Sequence, residues 1–276
     1  PDGKGTLEIH QIAAERLAKF PENRHTLNTY LRLLIPEIIP KKDKIIYLDA
    51  DIIVLDSLQG LWNHSVKNFT LAATADSQVY FGGIALEHFE SLKLPSEHLY
   101  FNAGVLLLNL KLFREVQLFE KVLTWTEKNS HLMIHSDQDA LNAVLAGKIT
   151  YFHPRWNLQV PLIDPVRFGW GCTQEQAEAV ANPAIIHYVT HRKPWYRQYK
   201  LPYQQLYFQY LAQTPWKDDP FPPCTFHMHL HRLREELDWC YKWVRSRVRR
   251  VLGRHPKPIK GSLLGRTLGS KLGTNH

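Results

Sequence analysis

KIIYLDADIIVL, residues 44–55, is an apolar run that two aspartates interrupt. Continuous Ile, Tyr and Leu of this length predict a strand buried on both faces, as in a parallel or mixed sheet. Asp49 and Asp51 then stand near the carboxyl end of that strand, where α/β sheets open into a crevice that binds ligands. The run therefore predicts a sheet with helices on its faces and a polar site at one edge.

The sequence on either side of this run alternates predicted strands with predicted helices. Period-two alternation or continuous apolar character predicts strands at Thr6–Ile12, Leu71–Ala75, Phe101–Leu110 and Ala184–Val189. Apolar residues at helical spacing predict helices at Asn28–Ile39, Phe113–Lys128 and Ser136–Ala146. Gln159–Ala181, rich in Gly, Pro and Trp, is expected to be an irregular loop. We expect an α/β fold of Rossmann-like type with a mixed sheet flanked by helices.

The positive charge is concentrated at the end of the chain. Residues 224–276 hold 12 Lys or Arg and 3 acidic residues, whereas residues 1–223 hold 22 basic and 23 acidic residues. A nearly neutral body argues against a nucleic-acid-binding surface there. The tail is the part of the chain expected to meet an anionic partner.

The basic tail follows a proline-rich segment, residues 214–223, which predicts a linker. We expect a catalytic domain at 1–213, this linker, and a basic amphipathic helix with a flexible tail at 224–276. Apolar residues recur in the tail every three or four positions, with Trp239 and Trp243 along the same segment. Such a helix is predicted to lie in the surface of an anionic bilayer. The alternative is a helix packed on the catalytic body.

Cysteine content and the ends of the chain bear on location. Cys172, Cys224 and Cys240 are odd in number and lack metal-ligand spacing, which indicates a reducing compartment. No run of eighteen apolar residues is present, so no membrane-spanning helix is predicted. We therefore expect a cytoplasmic protein that is peripheral on the inner face of the cell membrane. Because the chain begins at Pro1 without an initiator methionine, we expect a processed chain or a fragment.

The Asp49-Ala50-Asp51 tripeptide is the sharpest chemical signal in the sequence. Two neighbouring carboxylates at a buried strand end require protonation or a cation. Their oxygen atoms suit a hard divalent ion such as Mn²⁺ or Mg²⁺, which could bridge the phosphates of a nucleotide diphosphate. The alternative is a strand that ends in a polar turn with two solvated aspartates.

Two further clusters have both a functional and an ordinary structural explanation. His187 is a candidate metal ligand and Lys193 a candidate phosphate partner. The alternative is a core histidine and a surface lysine. Ser136, Asp137 and Asp139 flank Gln138 at a predicted helix start, where Ser and Asp also serve as ordinary capping residues.

Taken in order, four motifs resemble glycosyltransferase family 8. They are Tyr47–Ile52 (YLDADI), Tyr100–Val105 (YFNAGV), Ser136–Asn142 (SDQDALN), and His187-Tyr188 with Lys193-Pro194-Trp195. The likeness runs from about Thr6 to Trp195 and is strongest to the bacterial lipooligosaccharide α-1,4-galactosyltransferases and lipopolysaccharide glucosyltransferases. The resemblance implies a GT-A fold, a UDP-glucose or UDP-galactose donor, Mn²⁺, a glycan or glycolipid acceptor, and retention of anomeric configuration.

The resemblance also implies roles for individual residues. Asp49, Asp51 and His187 would bind the metal. The donor would be bound by these three residues and by Arg32, Ala50, Asn102, Ala103, Asp137, Gln138 and Lys193. Gln138 would lie beside the anomeric carbon, Asp137 would bind sugar hydroxyls, and Asp76 would contact the acceptor.

This sequence departs from the family pattern in three ways. Thr190 stands where the family has a glycine in His-Tyr-x-Gly, so a side chain occupies a place where backbone approaches phosphate. Ser136 and Arg24 differ from the residues on the acceptor side of the galactosyltransferases. The family also begins with a βαβα segment ahead of the predicted strand at Thr6. We therefore expect an N-terminally incomplete domain that folds poorly or binds UDP weakly without that segment.

Retention without an obvious nucleophile favours front-face substitution, because Gln138 carries an amide. Asp137 is the alternative nucleophile. Two other classes of protein remain open from the sequence. One is a catalytically inactive glycan-binding relative. The other is a metal-dependent phosphoryltransferase or nucleotidyltransferase, which would need a third carboxylate and a basic channel.

Overall fold

The computed structural model describes most of the chain as far as residue 222. The described residues are 5–21, 27–80, 84–95, 97–163, 174–197, 199 and 201–222, together with isolated residues between 226 and 244. Within these, the strands are β1 (Lys44–Leu48), β2 (Ile52–Val54), β3 (Leu71–Ala75), β4 (Phe101–Asn109), β5 (Ile149–Tyr151), β6 (Leu158–Gln159) and β7 (Ile185–His187). The α-helices are α1 (Ile35–Ile38), α2 (Gln59–Trp62), α3 (Ile84–Ser91), α4 (Leu110–Glu115), α5 (Leu118–Asn129), α6 (Asp137–Val144), α7 (Gln174–Ala181) and α8 (Gln204–Leu211).

The strands form two sheets. The larger has the order β1-β4-β3-β5, with antiparallel pairs β1/β4 and β3/β4 and a parallel pair β3/β5. The smaller has the order β2-β7-β6, in which β2/β7 is antiparallel and β6/β7 is parallel. The expected mixed α/β sheet flanked by helices is confirmed.

The run Lys44–Leu55 is divided between the two sheets, so the prediction of a single strand buried on both faces was wrong. β1 ends at Leu48, the chain turns at residues 49–51, and β2 begins at Ile52 in the smaller sheet. All five residues of β1 are only partly buried, since β1 lies at an edge of the described sheet. The aspartate turn is therefore the crossing point between the sheets.

β4 explains how one strand supports two layers of core. Leu106 and Leu108 pack among the helices α4, α5 and α6 on one face of the larger sheet. Val105 and Leu107 point to the opposite face and pack with Ala184 and with Ile185 of the smaller sheet. This alternation follows the two-residue period of a strand. A third cluster on the far side of the smaller sheet joins Ile186 to residues of α7 and α8.

Several predicted elements differ in detail. Thr6–Ile12 was expected to be a strand, but it has no regular secondary structure, and Leu7 and Ile9 are 85% and 87% exposed. The segment pairs with no strand of the two described sheets, so the alternation of apolar and polar residues does not lead to burial of Leu7 and Ile9. The helix expected at Asn28–Ile39 is a 3-10 helix, Leu27–Leu34, followed by α1.

Two further predictions need correction. The helix expected at Phe113–Lys128 is broken between α4 and α5, where Gln117 adopts a left-handed φ of 51°. Gln159–Ala181, expected to be an irregular loop, contains the end of β6, a short 3-10 helix and α7. Residues 164–173 of that segment lie outside the described residues.

The predicted C-terminal helix falls largely outside the described residues, including Trp239 and Trp243, and it stays a prediction. The same holds for the domain boundaries at residues 213 and 223. None of the helices in the described ranges combines the length and apolar character that a bilayer crossing requires.

Candidate active site

The turn at residues 49–51 is held by backbone hydrogen bonds from both sheets. Asp49 N donates to Gly104 O of β4 at 2.8 Å, and Asp51 O accepts from Tyr188 N, just after β7, at 3.0 Å. Each carboxylate is thus fixed relative to a different sheet. Ala50, between them, is exposed at the turn.

His187 completes a cluster with the two aspartates. It is the last residue of β7 and is paired with Ile52 in the sheet register. Its Nε2 lies 3.3 Å from Asp51 Oδ1 and 4.0 Å from Asp49 Oδ2. One ligand atom from each of the three residues falls within 4.8 Å of the others. His187 is buried, as expected of a core histidine, and its Nε2 also faces both aspartates.

Two carboxylates and one imidazole fit a divalent cation such as Mn²⁺ or Mg²⁺. The space in front of them depends on Gly104. An ideal Cβ at this position would overlap the His187 ring and lie 2.8 Å from Asp49 Oδ2. The glycine thus keeps the histidine and the carboxylate close enough together to share an ion.

Arg32 neutralises the aspartates from the buried side of the site. Its Nη2 is 3.2 Å from Asp49 Oδ1, its Nη1 donates to Ala103 O, and its guanidinium stacks 4.6 Å from the centroid of the Tyr47 ring. Burial would lower the pKa of Arg32, but Asp137 and Asp49 outweigh burial and raise it. Arg32 therefore remains a permanent cation inside the site.

Lys193 approaches from the solvent side. Its Nζ donates to Asp51 Oδ2, and it donates to Tyr188 O at 2.8 Å. Burial alone would raise the pKa of Asp51, but its contacts with His187 and with the Lys193 ammonium group lower it far below its usual range. Asp51 is therefore ionised at all pH values near neutrality.

Asp137 is a buried carboxyl group, and one of its oxygens, Oδ2, receives no hydrogen bond from the described residues. Arg32 Nε lies 3.0 Å from Asp137 Oδ2, but the single N–H of this nitrogen donates to Thr29 O, so the contact is electrostatic. Oδ2 has no hydrogen-bond donor within the described part of the chain. Burial raises the pKa of Asp137, and Arg32 opposes that rise. An acceptor of this kind can receive a hydrogen bond from a ligand hydroxyl.

Gln138 and Asp76 are joined across the site. Gln138 Oε1 accepts from Ala103 N at 2.9 Å, while its Nε2 donates to Asp76 Oδ2 at 3.1 Å. Asp76 Oδ2 also accepts from Asn102 Nδ2 at 3.0 Å. The candidates that follow β1 and β3 and those on β4, α6 and β7 therefore lie in one connected cluster.

Ser136 and Asp139 differ from ordinary helix caps. Ser136 has φ 46° and makes no side-chain cap hydrogen bond, and its buried hydroxyl has no partner among the described residues. Asp139 is fully buried and accepts hydrogen bonds from His88, Tyr100, Ile134 N and His135 N. Asp139 thus anchors the loop that presents Asp137 and Gln138.

Sequence reasoning did not single out Asn157 and Gln159. Asn157 Oδ1 lies 2.8 Å from His187 Nδ1, and Gln159 bonds to Ala75 O and Ser77 N on either side of Asp76. Both side chains are fully buried. The sequence shows two amide side chains two positions apart, but it does not show that they are buried or which residues they contact.

Sequence comparison finds one protein family that matches the chain. A sequence profile of glycosyl transferase family 8 matches residues 6–198, which is more than half of the chain. General stress protein A of Bacillus subtilis (strain 168) is 30% identical over 218 residues, 76% of this chain and 74% of that protein. The lipopolysaccharide 1,3-galactosyltransferase of Salmonella typhimurium is 28% identical over 222 residues, 76% of this chain but only 62% of that protein.

A solved structure gives the same picture at the level of fold. The crystal structure of the galactosyltransferase LgtC, in complex with donor and acceptor sugar analogs, superimposes with a TM-score of 0.64 at 27% identity. The superposition covers 79% of this chain and 76% of LgtC. The GT-A fold expected from the sequence is therefore confirmed.

Proposed function

This chain belongs to glycosyltransferase family 8, and from that membership we propose that it transfers a hexose from UDP-glucose or UDP-galactose to a glycan. The proposed acceptor is lipopolysaccharide or another cell-surface glycan, because relatives in the family carry such names. Since the chain spans 62% to 63% of those lipopolysaccharide transferases, acceptor and activity are both part of the proposal.

The convergence of Asp49, Asp51 and His187 at the crossing between the sheets carries the proposal. These three residues would hold Mn²⁺ or Mg²⁺, which when bound supplies positive charge to stabilise the leaving UDP. Lys193, on the solvent side of Asp51, would contact the same diphosphate.

Donor binding is assigned to the buried side of the cluster. Asp137 Oδ2, which has no hydrogen-bond donor among the described residues, would accept a hydrogen bond from a sugar hydroxyl. Arg32 would keep Asp49 and Asp137 at fixed separation beneath the sugar. Asn102 and Ala103 would form the wall of the nucleotide-sugar pocket, with Ala50 at its edge.

The reaction is proposed to retain anomeric configuration by front-face substitution. An acceptor hydroxyl oxygen forms the new bond to the anomeric carbon while the bond to the diphosphate oxygen breaks. The electron pair leaves with the diphosphate, whose oxygen takes the acceptor proton. Gln138 would lie beside the anomeric carbon and Asp76 would orient the acceptor. Asp137 remains the alternative nucleophile. Its proposed hydrogen bond to a sugar hydroxyl argues against that role, because the same oxygen would have to attack the anomeric carbon.

The proposed location is the cytoplasmic face of the membrane, where a lipid-linked acceptor would be available. The basic segment 224–276 would bind the anionic membrane surface. A nearly neutral body supports the absence of nucleic acid among its partners.

A donor panel tests the function. The purified chain is incubated with Mn²⁺ and UDP-glucose, UDP-galactose or UDP-N-acetylglucosamine, and release of UDP and transfer to a glycan are measured. Activity should disappear with chelator and return with Mn²⁺. Asp51→Asn should reduce it by several orders of magnitude, whereas Asp56→Asn, at a nearby aspartate paired with Arg155, should not.

The product distinguishes the alternatives. An α-linked donor should give an α-linked product, seen by the anomeric proton signal in NMR, and a β-linked product would contradict retention. Glycan binding without UDP release would favour an inactive glycan-binding relative. Full activity in chelator would rule out the metal assignment.

A further inference from the structure

A buried chain of hydrogen bonds connects Asp76 to His187 through two asparagines. Asn102 Nδ2 donates to Asp76 Oδ2 at 3.0 Å, and Asn157 Nδ2 donates to Asn102 Oδ1 at 2.9 Å. Asn157 Oδ1 then lies 2.8 Å from His187 Nδ1. All four side chains are buried, and Asn157 has no exposed surface. Water therefore cannot easily replace a missing partner along this chain.

The orientation of Asn102 follows from two neighbours whose roles are fixed. The carboxylate of Asp76 can only accept, so it faces the NH₂ group of Asn102. The backbone N of Gly104 can only donate, and it lies 3.0 Å from Asn102 Oδ1. Reversing the amide would place like groups against each other at both contacts. Asn102 therefore presents its oxygen to Asn157.

This orientation determines that of Asn157 and then the protonation of the histidine. Because Asn102 Oδ1 is an acceptor, Asn157 must direct its NH₂ group toward it. The carbonyl oxygen of Asn157 is left to face His187 Nδ1, which must then carry the proton. The other ring nitrogen, Nε2, is the one that faces Asp49 and Asp51.

We propose that Asn157 is a positioning residue that holds His187 with its proton on Nδ1 and directs Nε2 at the candidate metal site. Asn157 would touch neither the donor nor the ion. It acts through His187, and its own orientation comes from Asp76 through Asn102. The inference rests on the proposed function only in assigning Nε2 to a metal. The direction of the hydrogen bonds is independent of that assignment.

The chain also links the two halves of the site. Asp76 Oδ2, which orients Asn102, is the same oxygen that accepts from Gln138 Nε2. One carboxylate therefore sets the orientation of the amide assigned to the anomeric carbon and of the imidazole assigned to the metal. A residue assigned to the acceptor would in this way influence metal affinity without contacting the ion.

The first test uses the unaltered chain. Histidine labelled with ¹⁵N reports which ring nitrogen carries a proton, and the signals of His187 are those missing from His187→Gln. We expect a proton on Nδ1 in metal-free protein. An unprotonated Nδ1 would overturn the inference, whatever the chain catalyses.

The second test measures Mn²⁺ binding by the paramagnetic resonance of the free ion, without any sugar donor. Asn157→Leu should weaken binding about 10- to 100-fold. Asn157→Asp still offers an acceptor to His187 but loses the donor to Asn102 Oδ1, so it should recover part of that loss. Asn142→Leu is the matched control, since Asn142 is equally buried but its hydrogen bonds involve Phe101, Gln138 O and His98 instead.

The outcomes separate the inference from the proposed function. Unchanged Mn²⁺ affinity in folded Asn157→Leu, or an Asn157→Asp as weak as Asn157→Leu, would overturn the positioning role. Loss of affinity in Asn142→Leu equal to that in Asn157→Leu would assign the effect to general destabilisation and also overturn it. Absence of sugar transfer, with the Mn²⁺ results as expected, would count against the proposed function alone.

Discussion

Gly104 and His187 are so close that position 104 has no room for a side chain. An ideal Cβ would overlap the imidazole ring and lie 2.8 Å from Nε2, the nitrogen that faces the two aspartates. The requirement comes from this neighbour, because Gly104 is not among the described residues with positive φ. The glycine of the Asn102-Ala103-Gly104 motif is thus fitted to the imidazole across the site.

Gly104→Ala should therefore disrupt the site more than the fold. The added methyl group must push His187 away from Asp49 and Asp51, so we expect Mn²⁺ binding to weaken about 10- to 100-fold. Sugar transfer should fall by about 10²-fold or more, because displacement of about 1 Å at a catalytic site has that effect. Mn²⁺ titration and donor turnover measure the two losses.

Gly147→Ala is the control for Gly104→Ala. Gly147 has φ 74° with nothing within 4 Å of an ideal Cβ, so the alanine strains the backbone without touching the site. Its cost should be about 1 kcal/mol in unfolding free energy, with Mn²⁺ affinity unchanged. Normal Mn²⁺ affinity in Gly104→Ala would contradict the close fit to His187.

Arg32→Lys should show that geometry as well as charge matters at this position. The guanidinium contacts Asp49, Asp137 and Ala103 O together, whereas an ammonium group cannot span all three. We expect kcat/KM to fall about 10²-fold, which is roughly 2.7 kcal/mol of transition-state stabilisation. Steady-state kinetics with the preferred donor would measure it.

Arg114→Lys provides the comparison, because Arg114 pairs with Asp43 on the surface. Exposed pairs of this kind contribute about 0–1 kcal/mol, so little change in activity or stability is expected. Equal kinetics for Arg32→Lys and the unaltered chain would show that only the positive charge is needed beneath the donor.

The sequence was sufficient for the parts of the fold and site that depend on local pattern. Leu71–Ala75 was predicted with the observed bounds, and the strand predicted at Phe101–Leu110 differs from β4 by one residue. The aspartate pair was recognised because two carboxylates in an apolar run are chemically unusual. These features lie within short stretches of chain, where periodicity and residue type carry the information.

The remaining features depend on contacts between distant segments. Lys44–Leu55 looks like one strand because its apolar residues continue past the aspartates, yet each half pairs with a different sheet. Asn157 acquires its role only from His187 and Asn102, which lie 30 and 55 residues away. Gln117 breaks a continuous helical pattern because its φ is positive, and nothing about a glutamine in the sequence predicts a positive φ.

Asp139 should contribute stability that is lost in acid. Burial would raise its pKa, but hydrogen bonds from His88, Tyr100 and the backbone outweigh burial and lower it. Its contribution is therefore present above the unfolded-state pKa of about 3.9 and is lost as pH falls toward the lowered folded-state value. Asp139→Asn should cost about 1–3 kcal/mol at pH 7.

Urea unfolding of both proteins at pH 7 and pH 3 tests the sign. The difference in unfolding free energy between the unaltered chain and Asp139→Asn should be largest at pH 7 and smaller at pH 3. Asp43→Asn, at an exposed aspartate paired with Arg114, should change little at either pH. A difference that grows in acid would show that the ionised form of Asp139 is not the stabilising one.

The basic tail should be required for membrane binding but dispensable for donor chemistry. A chain that ends at Pro223 loses 12 Lys or Arg, and each basic residue near an anionic surface contributes about 1 kcal/mol. We expect the shortened chain to stop sedimenting with liposomes that contain anionic lipid, while UDP release from the donor continues. Unchanged sedimentation would refute the anchor and favour a tail packed on the catalytic body.

Thr190→Gly should stabilise the chain, although most substitutions of a threonine by glycine destabilise. Thr190 has φ 78°, a left-handed conformation that costs a residue with a side chain about 1–2 kcal/mol. Glycine removes this strain but loses about 0.5–1 kcal/mol through greater freedom of the unfolded chain. The net gain should be up to about 1 kcal/mol, or roughly 2–4 °C in Tm.

The same substitution tests why a side chain is present between Tyr188 and Lys193. The family pattern has a glycine at this position, where the backbone approaches the phosphate of the donor. Because Thr190→Gly removes the side chain there, it should also lower the KM for the UDP-sugar. Val189→Gly, one residue earlier and without positive φ, should instead lose stability and leave that KM unimproved. If Thr190 is strained, calorimetry should show a higher Tm for Thr190→Gly and a lower Tm for Val189→Gly. Donor titrations should show a lower KM for Thr190→Gly alone. Two variants destabilised alike would show that the left-handed turn costs this chain nothing.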